Sequence, residues 1–183
     1  ITEVGIVANG ELVELDCIIF ATGFEVGTDY TRRSGYDLIG KGGVKLSDKW
    51  ADGMRSLHGL NTRGFPNLFI ISNAQAAFTT NFPHAMDESA QHIGYIVNQC
   101  LSGNISSVEP SEEAEEAWVQ EIISLARLSE SYQASCTPGY YNNEGKPNRR
   151  SVQNASYGKG PDPFFKRMKA WREEGGMEGL ELS

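Results

Sequence analysis

What this sequence lacks narrows its function more than any one motif does. No apolar run approaches the roughly 20 residues needed to cross a bilayer; the longest, residues 17–21, is strand-sized. There are only three cysteines, Cys17, Cys100 and Cys136. They are far apart, odd in number and without metal-ligand spacing, so they build neither a disulfide framework nor a metal site. Three free, mostly buried thiols in a reducing compartment, the cytoplasm, fit that pattern. Basic residues are the minority, 16 Lys and Arg against 24 Asp and Glu, for a formal charge of -8. That balance argues against a nucleic-acid partner, which needs a net attractive field. No G-x-G-x-x-G turn occurs, so the chain has no pyrophosphate cradle of its own. No general base, nucleophile or metal cluster stands out by spacing.

What is present is the composition of an ordinary globular chain. Its 183 residues are 39% hydrophobic and 22% charged, enough for one core, or one core plus a peripheral subdomain. The chain starts at Ile1, inside what reads as a sheet, which suggests a fragment of a longer protein.

Residues 4–7 and 12–20 are apolar runs on either side of Asn9-Gly10, a strong hairpin signal because both central residues of a type I′ turn need positive φ. The second run ends in the continuous apolar stretch 17–21, the pattern of a strand covered on both faces. Residues 25–66, rich in Gly and polar residues, read as a long excursion with short strands. Residues 67–72 form a second buried-strand candidate behind Gly64-Phe65-Pro66.

From Asp87 to Leu101 the period becomes helical, with Ile93, Ile96, Val97, Cys100 and Leu101 on one face and Gly103 as the terminating residue. A second helix is predicted from about Ser111 to Ser129, with Ala114, Trp118, Ile122 and Leu125 as its stripe. Glu112, Glu113, Glu115 and Glu116 crowd its start, where a solvated acidic run matches the helix dipole. Residues 136–161 are loop-like. Asp162-Pro163 reads as the cap and first turn of a last helix, with Phe164, Met168 and Trp171 on its face and Gly175-Gly176 as its stop.

The stretch with chemical content is DCIIFATGF, residues 16–24. A buried strand there delivers small residues at its carboxyl end, where ligands bind in open α/β sheets. Ala21 and Gly23 permit close approach, and Thr22 supplies a hydroxyl. Any tight strand-to-loop turn reads the same way.

That string resembles the Ala-Thr-Gly strand of flavoproteins with two dinucleotide-binding domains, which runs from the NADPH domain back to the FAD domain. Three further segments are similar to Baeyer–Villiger monooxygenases: residues 48–72, ending in GFPNLFIIS; QHIGYI at 91–96; and CTPGYYNNEGKP at 136–147, which resembles a loop of the subgroup that oxidises large cyclic ketones. The resemblance implies an α/β fold, the C-terminal part of the FAD domain in residues 1–104. Residues 105–183 would be a helical and looped extension that contributes to a substrate and NADP pocket. It implies FAD and NADPH as cofactors, and oxygen insertion from O2 beside the carbonyl of a ketone substrate. The partner it implies is the missing N-terminal half of the same chain, without which the fragment is expected to be inactive.

By the same resemblance, Ala21, Thr22, Gly23, Phe24, Asn73 and Asn81 fall on the cofactor side. Phe82 and Tyr140 fall on the substrate side. Gln91 and His92 match a polar pair near the flavin, although the residues alone favour a structural, hydrogen-bonded histidine. His84 is read with the same caution, and Trp118 and Trp171 as core. Two departures stand out: Gly139 takes the place of a Trp that reaches NADP in several relatives, and the upstream family fingerprint is absent. A heteroatom-oxidising flavin monooxygenase shares the Ala-Thr-Gly-Phe string and is the competing enzyme reading. A truncated, non-catalytic module is the third.

Overall fold

The computed structural model of the chain describes residues 1–21, 30–126, 135 and 149–183. The Asn9-Gly10 turn forms as the sequence predicts. Strands β1 (Gly5–Ala8) and β2 (Glu11–Glu14) pair antiparallel with Ala8 opposite Glu11. Asn9 has φ 51° and Gly10 φ 86°, positive at both positions as a type I′ turn requires.

The apolar run beyond β2 is not a strand. Residues 17–21 have no regular structure and lie exposed, Ile19 by 85% and Phe20 by 71%. A continuous apolar strand needs neighbours that bond its backbone and cover both faces, and no described segment does either. Cys17 is exposed for the same reason, against the expected buried thiol, while Cys100 is half-buried.

Residues 67–72 are not a strand either. Single bonds hold them: Asn67 N donates to the Val108 carbonyl at 2.9 Å and Ile70 N to that of Leu60 at 2.7 Å. The excursion before them carries helix α1 (Tyr30–Ser34), a 3₁₀ turn at Lys41–Gly43 and helix α2 (Leu46–Lys49). The expected short strands reduce to isolated bridges, Ile39 with Lys45 and Leu57 with Asn61.

Helix α3 (Phe82–Ser102) starts earlier than its apolar period, because Asn81 caps it by accepting from His84 N at 3.4 Å. Pro83 fits its first turn, where the missing N–H has no role. The left-handed terminating residue is Asn104, at φ 52°, rather than Gly103, which stays at φ -88°. The buried face runs through Ala85, His92 and Ile96, so the predicted stripe is split and Leu101 is 77% exposed.

Strand β3 (Val108–Pro110) leads into helix α4 (Glu112–Leu125), where Ser111 Oγ accepts from Ala114 N at 3.1 Å. Helices α5 (Arg149–Gln153) and α6 (Pro161–Glu174) follow. The cap of α6 is Gly160 instead of Asp162, and Gly175 ends it in the left-handed region at φ 77°. Strand β4 (Leu180–Leu182) pairs antiparallel with β3.

The main core joins Leu57, Ala76, Ala77, Trp118, Ile122, Tyr157, Phe164 and Met168, and a second cluster joins Ile96, Val108 and Met177. Trp118 is core as expected, with Ala114 and Leu125 packed beside the cluster.

The acidic run at the start of α4 divides in a way the sequence did not show. Glu112 and Glu113 are solvated, but Glu115 is only 3% exposed. Its carboxylate takes Lys49 Nζ at 2.9 Å, Arg55 Nε at 3.5 Å, Thr62 Oγ1 at 3.0 Å and Arg63 N at 2.8 Å. One side chain thereby ties the 49–63 loop to α4. Removing one partner of a buried ion pair strands the others. Glu115→Ala should therefore lower stability by about 3 kcal/mol, and Glu113→Ala by less than about 0.5 kcal/mol. Urea unfolding measures both, and equal midpoints for the two variants would contradict the assignment.

Candidate functional site

After residue 70 the chain turns through 71–77 and then reaches α3. Ile71, Ser72, Asn73 and Ala77 form one wall of a shallow cleft, and Phe82, Ala85, Met86 and Ser89 form the other. The turn is local chemistry: Ser72 Oγ accepts from Ala74 N at 3.1 Å, a hydroxyl-closed turn. Ala77 and Ala85 are buried, Asn73 is half-buried, and Phe82 and Met86 stand at the rim. Small side chains, an amide and a hydroxyl thus line a cleft with room for little more than one water molecule.

The sequence-derived candidates separate accordingly. Asn73 and Phe82 both line this cleft. Asn81 sits next to Phe82 and uses its amide oxygen as the α3 cap. Ala21 ends the exposed arm. Thr22, Gly23, Phe24 and Tyr140 lie outside the described residues, as do Gly139, Cys136 and the whole 136–147 segment. Gln91 points outward and donates to Asp87 Oδ2 at 2.8 Å. His84 packs edge-on against Phe165, with centroids 5.0 Å apart.

His92 is on the same face of α3 as Ala85 and Ser89. It is mid-helix rather than at a helix start, and it is not the hydrogen-bonded structural histidine expected. It is 1% exposed, yet neither ring nitrogen has a hydrogen-bond partner among the described residues. Its neighbours are rings: Trp171 at 4.8 Å and His58 at 5.4 Å. His58 in turn packs edge-on against Trp118 at 5.0 Å and Trp171 at 5.6 Å. Burial pushes the His92 imidazolium down to about 4, with the Arg172 cation adding to the effect. Burial holds His58 well below its usual range, with His92 and Arg167 contributing. Both rings are therefore neutral at pH 7 and act as part of an aromatic layer.

His58, Gln75 and Arg172 were not singled out from the sequence. His58 had one faint signal, the following Gly59, which turns at φ 73°.

The histidines make stability depend on pH. The folded pKa of His92 lies below the unfolded value of about 6.5, so the unfolded chain binds the extra proton. The stability is whole above pH 6.5 and is lost as pH falls toward 4. By pH 5 His92 should account for about 2 kcal/mol of lost stability. Urea midpoints at pH 7 and pH 5 should differ less in His92→Phe than in the wild type; an equal fall in both would refute this.

No protein-family model matches the chain. It is 46% identical to pentalenolactone D synthase of Streptomyces exfoliatus, over 100% of this chain and 32% of that protein. It is 36% identical to the FAD-binding monooxygenase hmp7 of Hypomyces subiculosus, over 99% of this chain and 30% of the relative. With Baeyer–Villiger monooxygenase 4 of Dietzia sp. (strain D5) it shares 39% identity over 98% of this chain and 29% of the other. Among solved structures, the polycyclic ketone monooxygenase of Thermothelomyces thermophila aligns with a TM-score of 0.79 at 29% identity, covering 98% of this chain and 30% of its own. Cyclohexanone monooxygenase from Rhodococcus sp. Phi1 bound to NADP+ aligns at 0.71 with 27% identity, covering 95% and 31%. The chain thus spans 32% or less of the length of these curated relatives. Likeness in both sequence and spatial arrangement runs along nearly the whole chain, which thus matches the C-terminal part of Baeyer–Villiger flavoprotein monooxygenases.

Proposed function

We propose that the chain supplies one wall of the flavin site in an FAD- and NADPH-dependent monooxygenase. The reaction inserts one oxygen atom from O2 beside a ketone carbonyl and gives an ester or lactone. What supports this reading is the likeness along nearly the whole chain to an FAD-binding monooxygenase and to an NADP+-bound cyclohexanone monooxygenase, with Asn73, Phe82, Ala77 and Ala85 lining one small cleft. The cleft alone is far too small to enclose a dinucleotide. The rest of the cradle would come from the remaining two thirds or more of such a protein's length.

Bound flavin, reduced by NADPH, supplies the electrons that activate O2 for attack on the carbonyl. This chain's residues then have three tasks. Asn73 and Ser72 offer donors and acceptors to the polar edge of the ring. Ala77 and Ala85 allow its close approach. Phe82 and Met86 keep water from the reacting face, which suppresses wasteful decay of the oxidant. In this reading residues 1–104 belong to the FAD domain and 105–183 extend toward substrate and NADP, with Tyr140 on the substrate side. A bulky or polycyclic ketone is the favoured substrate class, supported by the names of the polycyclic ketone monooxygenase and of pentalenolactone D synthase.

Two experiments test this. The isolated chain, mixed with FAD and passed through gel filtration, should retain no stoichiometric flavin and oxidise no NADPH; a one-to-one flavin spectrum would contradict the single-wall assignment. The complete protein, given NADPH, isotopically labelled O2 and a polycyclic ketone, should place one labelled atom in an ester or lactone. Oxidation of sulfides or amines alone would favour the heteroatom reading.

A further inference from the structure

Resting on the flavin-site reading, we infer that Gln75 is a positioning residue whose side chain, aimed away from the cleft, fixes the 71–77 wall on which the cofactor lies. Gln75 is 0% exposed and adopts the left-handed region at φ 59°. A non-glycine residue holds that conformation only where its surroundings over-determine it. Here they do. The side-chain oxygen accepts from Ser56 Oγ at 2.6 Å. The side-chain nitrogen donates to the carbonyls of Met54 at 2.6 Å and Gln153 at 3.0 Å.

The backbone is used as fully. Gln75 N donates to the Ala155 carbonyl at 2.9 Å, and Trp118 Nε1 donates to the Gln75 carbonyl at 3.1 Å. Next door, Tyr157 N donates to the Ala76 carbonyl at 2.9 Å. The 58–59 turn presses close as well: a Cβ added to Gly59 would stand 2.8 Å from Ala76 Cβ and 3.0 Å from the Gln75 carbonyl oxygen. Three distant stretches, 54–59, 118 and 153–157, therefore grip the middle of the arc. Its two ends, 71–73 and Ala77, line the cleft. A site wall held this way is preorganised by its supporting layer, and loosening the grip moves Asn73 without touching it.

The test uses the complete protein. Gln75→Gly keeps the left-handed backbone at no steric cost and removes the amide; Ser56→Ala removes one hydrogen bond from the other end. Val108→Ala serves as a control that thins the second core cluster, which contains no residue of the arc. Gln75→Gly should raise the FAD dissociation constant about tenfold and change the visible circular dichroism of bound flavin. Ser56→Ala should move both signals the same way by about two- to threefold. Val108→Ala should lower the melting temperature and leave both unchanged. The inference is overturned if Gln75→Gly and Ser56→Ala bind FAD with wild-type affinity and spectrum, or if Val108→Ala reproduces their effect. Should Gln75→Gly not fold, an unchanged Ser56→Ala overturns it alone. A wild-type protein that takes up no flavin removes the reading beneath the inference, a result distinct from variants that bind flavin normally.

Discussion

The hydrogen bond from the Trp118 indole to the Gln75 carbonyl, 3.1 Å long and fully buried, is the contact on which the rest of the structure depends. A buried indole must find an acceptor, and this one finds it on the turn that shapes the cleft. The same ring stacks on Tyr157 with centroids 5.7 Å apart and meets Phe164 edge-on at 6.1 Å. The Arg167 guanidinium lies 4.8 Å over it and is fixed by Glu121 at 2.6 and 2.7 Å. One residue of α4 thereby brings together the cleft turn, the segment before α6 and α6 itself. Truncating a buried aromatic of this kind typically costs about 3–5 kcal/mol.

Around this centre much of the chain has no helix or ladder to satisfy its backbone, and side chains take over that task. Asn154 Oδ1 accepts from Met54 N at 2.6 Å, and Gln153 Nε2 donates to the Met54 carbonyl at 2.9 Å. Asn67 bridges to β3, accepting from Val108 N at 3.0 Å and donating to the Ser106 carbonyl at 3.0 Å. Glu109 accepts from Gly64 N at 2.7 Å. Buried backbone groups must be paired whatever the local structure, so a loop-built body needs buried amides and carboxylates. That is the physical reason Gln75, Gln153, Glu109 and Glu115 are inside.

This division explains what could be read in advance. The Asn-Gly hairpin, the Trp118 stripe and the last helix were legible, because a turn type and a helical period are local properties. The two apolar runs read as strands were not, since pairing belongs to partners that local sequence does not name. Asn73 and Phe82 were named by resemblance, and they line one cleft because α3 begins at Phe82 rather than near Asp87. Glu115 looked like its solvated neighbours because three glutamates in one turn differ only in which face they occupy. Gln75 gave no signal, since glutamine in a left-handed turn has no sequence signature.

The exposed arm follows from the same reasoning. Among the described residues, none of 1–21 belongs to either core cluster, and the ladder that holds β1 is its pairing with β2. A two-stranded ribbon by itself is marginal in water, and here it ends in Ile18, Ile19 and Phe20 in the open. Contiguous apolar surface of this kind marks a place where protein is meant to dock. The outer side of α3 carries a second such surface in Met86, Val97 and Leu101. In the proposed reading both face the part of the FAD domain that this chain does not supply. The cleft wall is then set by the core of this chain, through Trp118 and Gln75. The arm instead takes its position from whatever covers its apolar end.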